Sequence, residues 1–549
     1  MAKKKETQLA YLQMPLPAAA KSYKLQKVTW HGLNMRQTID TGVLAMEKNI
    51  STAEAPYLTP SKEPLEVYNH YEHPISVAGF DNFLVVVYRE GSTVYVDYIK
   101  EGESHQCYRG ELKTGVTDAE DEIPRCIVQF NVYDTPTDPI TGKYVKKLLI
   151  FPDKASMDYE ITGGFELGFL DATVKEYTPK NADDLPGSGA DINAYYRNTT
   201  NNNVYRYVDY KTEDGERVQG WKISVPPGGP GIKYATVHLS RLFGVDDDRV
   251  YASGYNDYTN WNLDTADSYN ESNAWCSPAQ SNTKAGSAFT GITAFQNHVI
   301  CFKRDFMHEI YNTKNPFRVQ DIYAEGAIDH RTVQDVDGQL IFVSEDGVKV
   351  YTGADPRLLS FPLNLKKITY AVSGTDNRSY FLYVEEEGKS PGRLLTYDTV
   401  VGEWSERSVS QKLLGFAHNK NGMYALPSKG KILKLDTEDY AQEWSFETDL
   451  FTNKNIDIKH IRKIHMLADV GKDAKLKLYL LYDGEKFSDK MQPVYESSEE
   501  GRKTIRIRPR NAAGYGFKIH AEGSGFVRIY HMELQMNHGG EMYVTGETD

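Results

Sequence analysis

With 549 residues, 40% of them hydrophobic and 25% charged, the chain is long enough for two to four ordinary domains, or for one large repeat fold with an appended module, and its composition is that of a folded protein. A net charge of −13 excludes a broad grip on phosphate backbones, which takes a basic footprint; the one basic cluster is Lys3–Lys5. There is neither a continuous apolar leader nor an 18-residue apolar run, so no secretory signal and no membrane span are expected.

Residues 1–30 suggest an arm: Leu9–Leu16 is apolar, and Pro15 and Pro17 interrupt the apolar character of this region. Over 31–178 the signals are short strands and tight turns. Phe83–Tyr88 and Thr93–Tyr98 flank the turn Glu90–Gly91, and Cys126–Phe130 and Lys146–Phe151 flank a turn region rich in Thr, Asp, Pro and Gly. Residues 179–232 differ. Pro186–Gly189, the Asn198–Asn203 tract and Pro226–Pro230 surround one cleanly alternating strand, Val204–Tyr210. A loop of about fifty residues without structure is uncommon in a compact fold. An insertion with a projecting hairpin is therefore expected, its Asn198–Tyr210 region touching a partner.

Short strands resume over 233–440. Arg241–Val245 and Arg249–Ser253 flank Asp246–Asp248, three aspartates that belong in a solvated turn rather than a core. Tyr255, Tyr258 and Trp261 follow at threefold spacing. The same device returns as Asp335–Gly338, and as Glu345–Gly347 before Val348–Tyr351. Further units run from Ala285 to Tyr323, Thr332 to Leu363, Ile368 to Ser408 and Leu413 to Leu435. In one, Tyr397 and Asp398 open a turn that Trp404 closes, a kelch-like hairpin whose Trp packs on the neighbouring sheet. Such repetition builds a radial array, so an all-β chain with a propeller of six or seven blades is expected. From 441 to 549 the strands lengthen and alternate, as in Lys475–Tyr482 and Lys503–Arg508, which marks a half-solvated antiparallel sheet and predicts a C-terminal β-sandwich.

The stretch Arg241–Asn262, RLFGVDDDRVYASGYNDYTNWN, resembles a segment of the β-propeller structural proteins of tailed-phage virions, above all the stabilisation or tail-hub (nozzle) proteins of short-tailed phages. Ala285–Thr313 extends the resemblance as the blade that follows the Asn-Trp loop, and Met35–Tyr57 resembles the start of that family. The resemblance implies a virion protein assembled in the host cytoplasm. Copies would form a sixfold ring around the DNA path below the portal, contacting portal, adaptor and other tail proteins. DNA would pass through transiently, without sequence-specific binding. A family-like C-terminal module is also implied.

Chemistry is sparse in the residues. Cys107, Cys126, Cys276 and Cys301 form no C-x-x-C, so neither zinc nor a disulfide framework is expected, and Cys301 within His298–Phe302 fits a core strand. Asp246–Asp248 lacks EF-hand spacing, and Glu385–Glu387 fits a charged hairpin turn. Pro226–Pro230 lacks the Lys-Ser/Thr of a phosphate loop. His70, His73, His105, His238, His298 and His308 show no ligand-like pairing. No catalytic, cofactor-binding or metal-binding residue is nominated, no cofactor is expected, and the chain is read as a non-enzyme. A propeller glycosidase would need paired carboxylates in a central pocket, and Ser344–Gly347 lacks the spacing of sialidase-type repeats. The 38 tyrosines, against 21 phenylalanines, suit subunit interfaces but can also stack on sugars, so a receptor- or glycan-binding tail-tip protein is the alternative reading.

Overall fold

The computed structural model describes residues 23–28, 30–36, 43–100, 106–116, 126–134, 143–151, 155–158, 166–169, 174–181, 185, 194–201, 203–211, 217–223, 231–263, 272–277, 288–389, 391–441, 443–452, 457–509 and 513–538. Most of residues 1–30, Lys3–Lys5, His105, Pro186–Gly189 and Pro226–Pro230 lie outside them.

Among the described residues, seven four-stranded antiparallel sheets form a closed β-propeller. Blades 1 to 6 span 73–114, 126–169, 234–276, 291–322, 334–358 and 368–407. Blade 7 takes three strands from 413–434 and its fourth, Leu65–Tyr71, from far upstream. Tyr71 pairs with Gly430 and Leu65 with Lys434, so the ring is closed by a strand from the beginning of the propeller.

The apolar runs follow from this radial plan. A blade is buried on both faces, against its neighbour on either side, so its strands need no alternation. In Phe83–Glu90, Phe83, Val85 and Val87 face blade 2, while Leu84, Val86 and Tyr88 face blade 7. Gln339–Ser344 divides likewise, Leu340 and Phe342 toward blade 4 and Ile341 and Val343 toward blade 6. Among the described residues, seven apolar cores each join two consecutive blades and an eighth fills the sandwich. Each fully buried Leu, Val or Phe contributes about 1.5–3 kcal/mol, so the ring is held by its inter-blade seams.

Between blades 2 and 3 sits a separate four-stranded sheet, Val174–Tyr177, Tyr195–Asn198, Val204–Lys211 and Arg217–Ile223, whose first pair is parallel. It begins five residues before the 179 boundary read from the sequence, and it is a whole sheet rather than a single hairpin.

The sandwich is not confined to 441–549. One sheet pairs Tyr23–Val28 with Val527–His538, followed by Lys459–Val470 and Gly501–Ile507; the other sets Leu44–Lys48 beside Trp444–Thr448 and Phe517–Ser524. Residues 23–28 therefore belong to a sheet, not to the arm drawn over 1–30. Residues 43–48 belong to the sandwich rather than to the 31–178 section of the propeller. The cause is long-range pairing: each strand meets partners some 400 to 500 positions away.

The connecting segment ties the sandwich to the outer strand of blade 6, Glu403–Arg407. The Leu33 N–H donates to the Trp404 carbonyl (2.9 Å), the Asn49 N–H to the Glu406 carbonyl (2.9 Å), and the Gly32 N–H to Glu403 Oε2 (2.6 Å). An otherwise open sheet edge is thus covered. Glu47 is buried in this seam, 3% exposed, with Oε1 accepting from the Glu406 N–H at 2.8 Å.

Candidate functional site

The central channel is lined by the innermost strand of every blade, and the seven strands approach closely because their contact residues are small. A Cβ on Gly79 would lie 2.3 Å from the His418 carbonyl oxygen, and one on Gly374 would lie 2.3 Å from Phe416 Cβ. The channel has a volume of about 460 Å³, space for about fifteen waters. Side chains stitch neighbouring inner strands together. Thr236 Oγ1 accepts from the Ala294 N–H (3.1 Å), Ser373 Oγ donates to the Arg331 carbonyl (3.0 Å), and Tyr370 donates to the Leu413 carbonyl (3.1 Å).

The chemistry-bearing pair of the channel is Cys126 with His330, 3.3 Å apart. His330 stands in the short 3₁₀ turn His330–Thr332 that leads into blade 5, capped by Asp329, which accepts from the Arg331 N–H (2.8 Å). With His330 Nδ1 accepting a long bond from the Ile292 N–H (3.5 Å), Nε2 carries the proton and donates to Cys126 Sγ. The thiol in turn donates to the Ala235 carbonyl (3.3 Å) and accepts from its N–H (3.4 Å). The Tyr234 ring stacks on the imidazole at 5.0 Å. One relay therefore links blades 2, 3, 4 and 5.

Burial sets the charge state of this relay. It pushes the Cys126 thiol up to about 12 and the His330 imidazole down to about 4. Both are neutral near pH 7. A nucleophilic cysteine needs a depressed pKa and a cationic or basic partner, so this pair acts as a fastener. Beside it, Asp329 holds Arg331 in a two-pronged bond (3.1 and 2.7 Å), and the guanidinium lies 5.4 Å from the Tyr370 ring centre. The channel lining includes no Asp or Glu among the described residues.

The stretch Arg241–Asn262 builds a seam and one groove. Arg241, 1% exposed, opens an otherwise apolar strand because its guanidinium donates to the carbonyls of Ser253 (2.6 Å) and Asn273 (2.7 Å), tying these two positions together. Tyr258 and Trp261 are buried between blades 2 and 3, while Tyr255 stays half exposed. Asp246 Oδ1 accepts from the N–H groups of Asp248 (2.8 Å) and Arg249 (2.7 Å), and Oδ2 from the Tyr251 hydroxyl (2.9 Å). The aspartate triplet is thus a self-capped turn. Leu239 and Ser240 turn the preceding hairpin with φ of +48° and +58°, a left-handed pair built without glycine. With Tyr255, Thr313 and Lys314 they line a groove of about 450 Å³ between blades 3 and 4.

On the inserted sheet, Trp221 meets Tyr196 (5.1 Å) and Tyr207 (4.9 Å), all three half-buried. This trio includes one residue of the Asn198–Tyr210 region singled out from the sequence, Tyr207, with Tyr196 and Trp221 added by the fold.

Other expectations resolve individually. Glu386 is no solvated turn residue: it is 3% exposed and takes Lys389 (2.8 Å) and the Lys366 N–H (2.8 Å), because the strand Ser379–Glu386 runs to its position. His308 is buried against Asp321 (2.9 Å) and His298 lies 3.4 Å from Glu309. Cys301 is fully buried. Trp404 stacks near Tyr397 (5.1 Å) and donates to the Leu359 carbonyl of the preceding linker (3.2 Å). His330 and Arg331 went unremarked in the sequence, where a three-residue turn carries no periodic signal.

No family model matches the chain, and no curated protein is significantly similar to it. Among solved structures it is similar to the WD40 domain of Toxoplasma gondii coronin (9% identity, 72% of this chain and 89% of that one, TM-score 0.33). It is also similar to the WD40 domain of Neurospora crassa Pan2 (8% identity, 67% and 91%, TM-score 0.29) and to Pyrococcus horikoshii acylaminoacyl peptidase (7% identity, 69% and 58%, TM-score 0.29). At such identities and scores these likenesses carry no functional argument.

Proposed function

We propose that this chain is a structural component of a tailed-phage virion, a hub or nozzle protein whose copies ring the DNA path below the portal. It would extend the channel, help retain packaged DNA and anchor distal tail parts. The observation that carries this reading is that the residues bearing the phage resemblance are architectural: Arg241 ties Ser253 to Asn273, and Tyr258 and Trp261 seal the seam between blades 2 and 3. The chemistry of the central channel supports it, since the thiol and imidazole there are held neutral and bonded to the ring itself.

The inner strands of neighbouring blades leave no room for a Cβ on Gly79 or Gly374, so the propeller axis is not taken as the path for DNA. In this reading DNA runs through the hole enclosed by the copies, where an acidic wall keeps phosphates from sticking. The purified protein should enter a ring-shaped assembly when mixed with its portal–adaptor complex. A chain that stays monomeric both alone and with that complex contradicts the reading.

One observation favours a receptor- or glycan-binding tail-tip role instead. Tyr196, Tyr207 and Trp221 form a cluster of partly buried rings on the sheet inserted between blades 2 and 3, and aromatic side chains can stack on sugars. Glycan binding that Trp221→Ala abolishes would move the assignment to that role.

A further inference from the structure

Charge is divided unevenly along the chain. Residues 441–549 hold 16 Lys and Arg against 17 Asp and Glu, so the other 440 residues carry −12 of the total −13. Within the sandwich, cations gather on the outer face of one sheet, that of Lys459–Val470, Gly501–Ile507 and Val527–His538.

Strand geometry puts them there. In Gly501–Ile507 the core takes Ile505 and Ile507, and Arg502 and Arg506 point out. In Lys459–Val470 a bulge between Ile461 and Lys463 leaves both Arg462 and Lys463 off the core between buried Ile461 and Ile464. Arg508 lies exposed just past its strand. Register brings the strands' charges together: Arg506 stands opposite His465, and His465 opposite Glu533, while Arg502 stands opposite Asp469. Among the described residues none of these five cations has an ion pair, whereas Arg528 at the edge of the face is already bonded to Glu54.

The face is suited to a protein rather than to a phosphate backbone. Four of the five cations are arginines, which serve protein interfaces and phosphates alike, so the neighbouring groups decide. Arg502 lies 4.5 Å over the Tyr530 ring, giving an aromatic element beside the charge. Two carboxylates, Asp469 and Glu533, sit inside the array, where they would repel phosphates but can meet a protein's own cations. The rest of the chain carries nearly all of the net negative charge, so the propeller of another copy complements this face.

We propose that this basic sheet face docks on the acidic propeller of a second copy of the chain. Such a contact joins two different patches, so it is head-to-tail and closes into a ring when the rotation per copy permits. The inference rests on the ring reading above and names the interface for it.

The test is sedimentation velocity of the full chain at about 0.05 M and about 1 M salt, where the Debye length changes several-fold, alone and with the portal–adaptor complex. The wild type should associate at low salt and dissociate at high salt. Arg462→Glu/Arg506→Glu should raise the dissociation constant at least about 30-fold, with an unchanged circular dichroism spectrum, while Arg462→Lys/Arg506→Lys should keep most of the association. Rings that the charge reversal leaves intact overturn this interface and leave the ring reading standing. Monomers under every condition overturn both. Binding of duplex DNA by the monomeric wild type, lost in the reversal variant, assigns the face to nucleic acid and overturns the proposal.

Discussion

The imidazole of His330 bridges Ile292 and Cys126 only while it is neutral, since protonation would force Nδ1 to give up its acceptor role. Burial depresses its pKa from 6.5 to about 4 in the folded chain. The unfolded chain therefore binds more protons between those values, and the stability tied to this group is complete above pH 6.5 and lost as pH falls toward 4. The loss is at most about 3 kcal/mol. Urea unfolding of the wild type should accordingly weaken from neutral to mildly acid pH, and His330→Asn should flatten part of that slope while lowering stability at pH 7. A slope identical in the two proteins would show that the relay does not titrate with the fold.

At the scale of elements, ring closure depends on Leu65–Tyr71. Tyr71 is 2% exposed, packs against Tyr88 (4.7 Å) and donates to Asp97 (3.1 Å), a fully buried carboxylate that also accepts from Tyr88 (2.9 Å) and Arg109 (3.3 Å). Tyr71→Ala should cost about 3–5 kcal/mol and raise hydrogen exchange along Gly430–Lys434. Tyr71→Phe should cost only about 1–2 kcal/mol; equal exchange in the two variants would place the closure elsewhere. The blades themselves were legible because Phe83–Tyr88, His298–Phe302 and Gln339–Ser344 are apolar without alternation, the mark of strands buried on both faces. The closing strand was not legible as such. LEVYNHY has a mixed pattern, and its partner lies about 360 residues away, where no local period reaches. The same holds for Tyr23–Val28 and Leu44–Lys48, whose sandwich partners lie near the opposite end of the chain. The channel relay was hidden for a different reason: seven blades contribute a few lining residues each, and only closure brings Cys126 to His330.

For the whole molecule, the seam between sandwich and propeller turns on Glu47. Desolvation raises its carboxyl well above the usual 4.5, with Glu406 and Glu403 adding to the effect while the Glu406 N–H and Arg393 oppose it. Its second oxygen, Oε2, has no hydrogen-bond partner among the described residues. A raised folded-state pKa means that the folded chain binds the extra proton, so stability at the seam is present below the ordinary carboxyl range and is lost as pH rises through the raised value. Glu47→Gln keeps the bond from the Glu406 N–H and removes the charge. It should unfold at a higher temperature than the wild type at about pH 8 and differ less at about pH 5. A variant less stable than the wild type at both would mean that the carboxylate is accommodated as a charge.

In the proposed reading, copies of this chain ring the DNA path of a phage tail. Electron microscopy of intact particles, with this chain traced in the density, tests it most directly. The expected density is a closed ring beneath the portal, with the sandwich of each copy against the propeller of the next. Density confined to peripheral fibres, or no density for the chain at all, would contradict it.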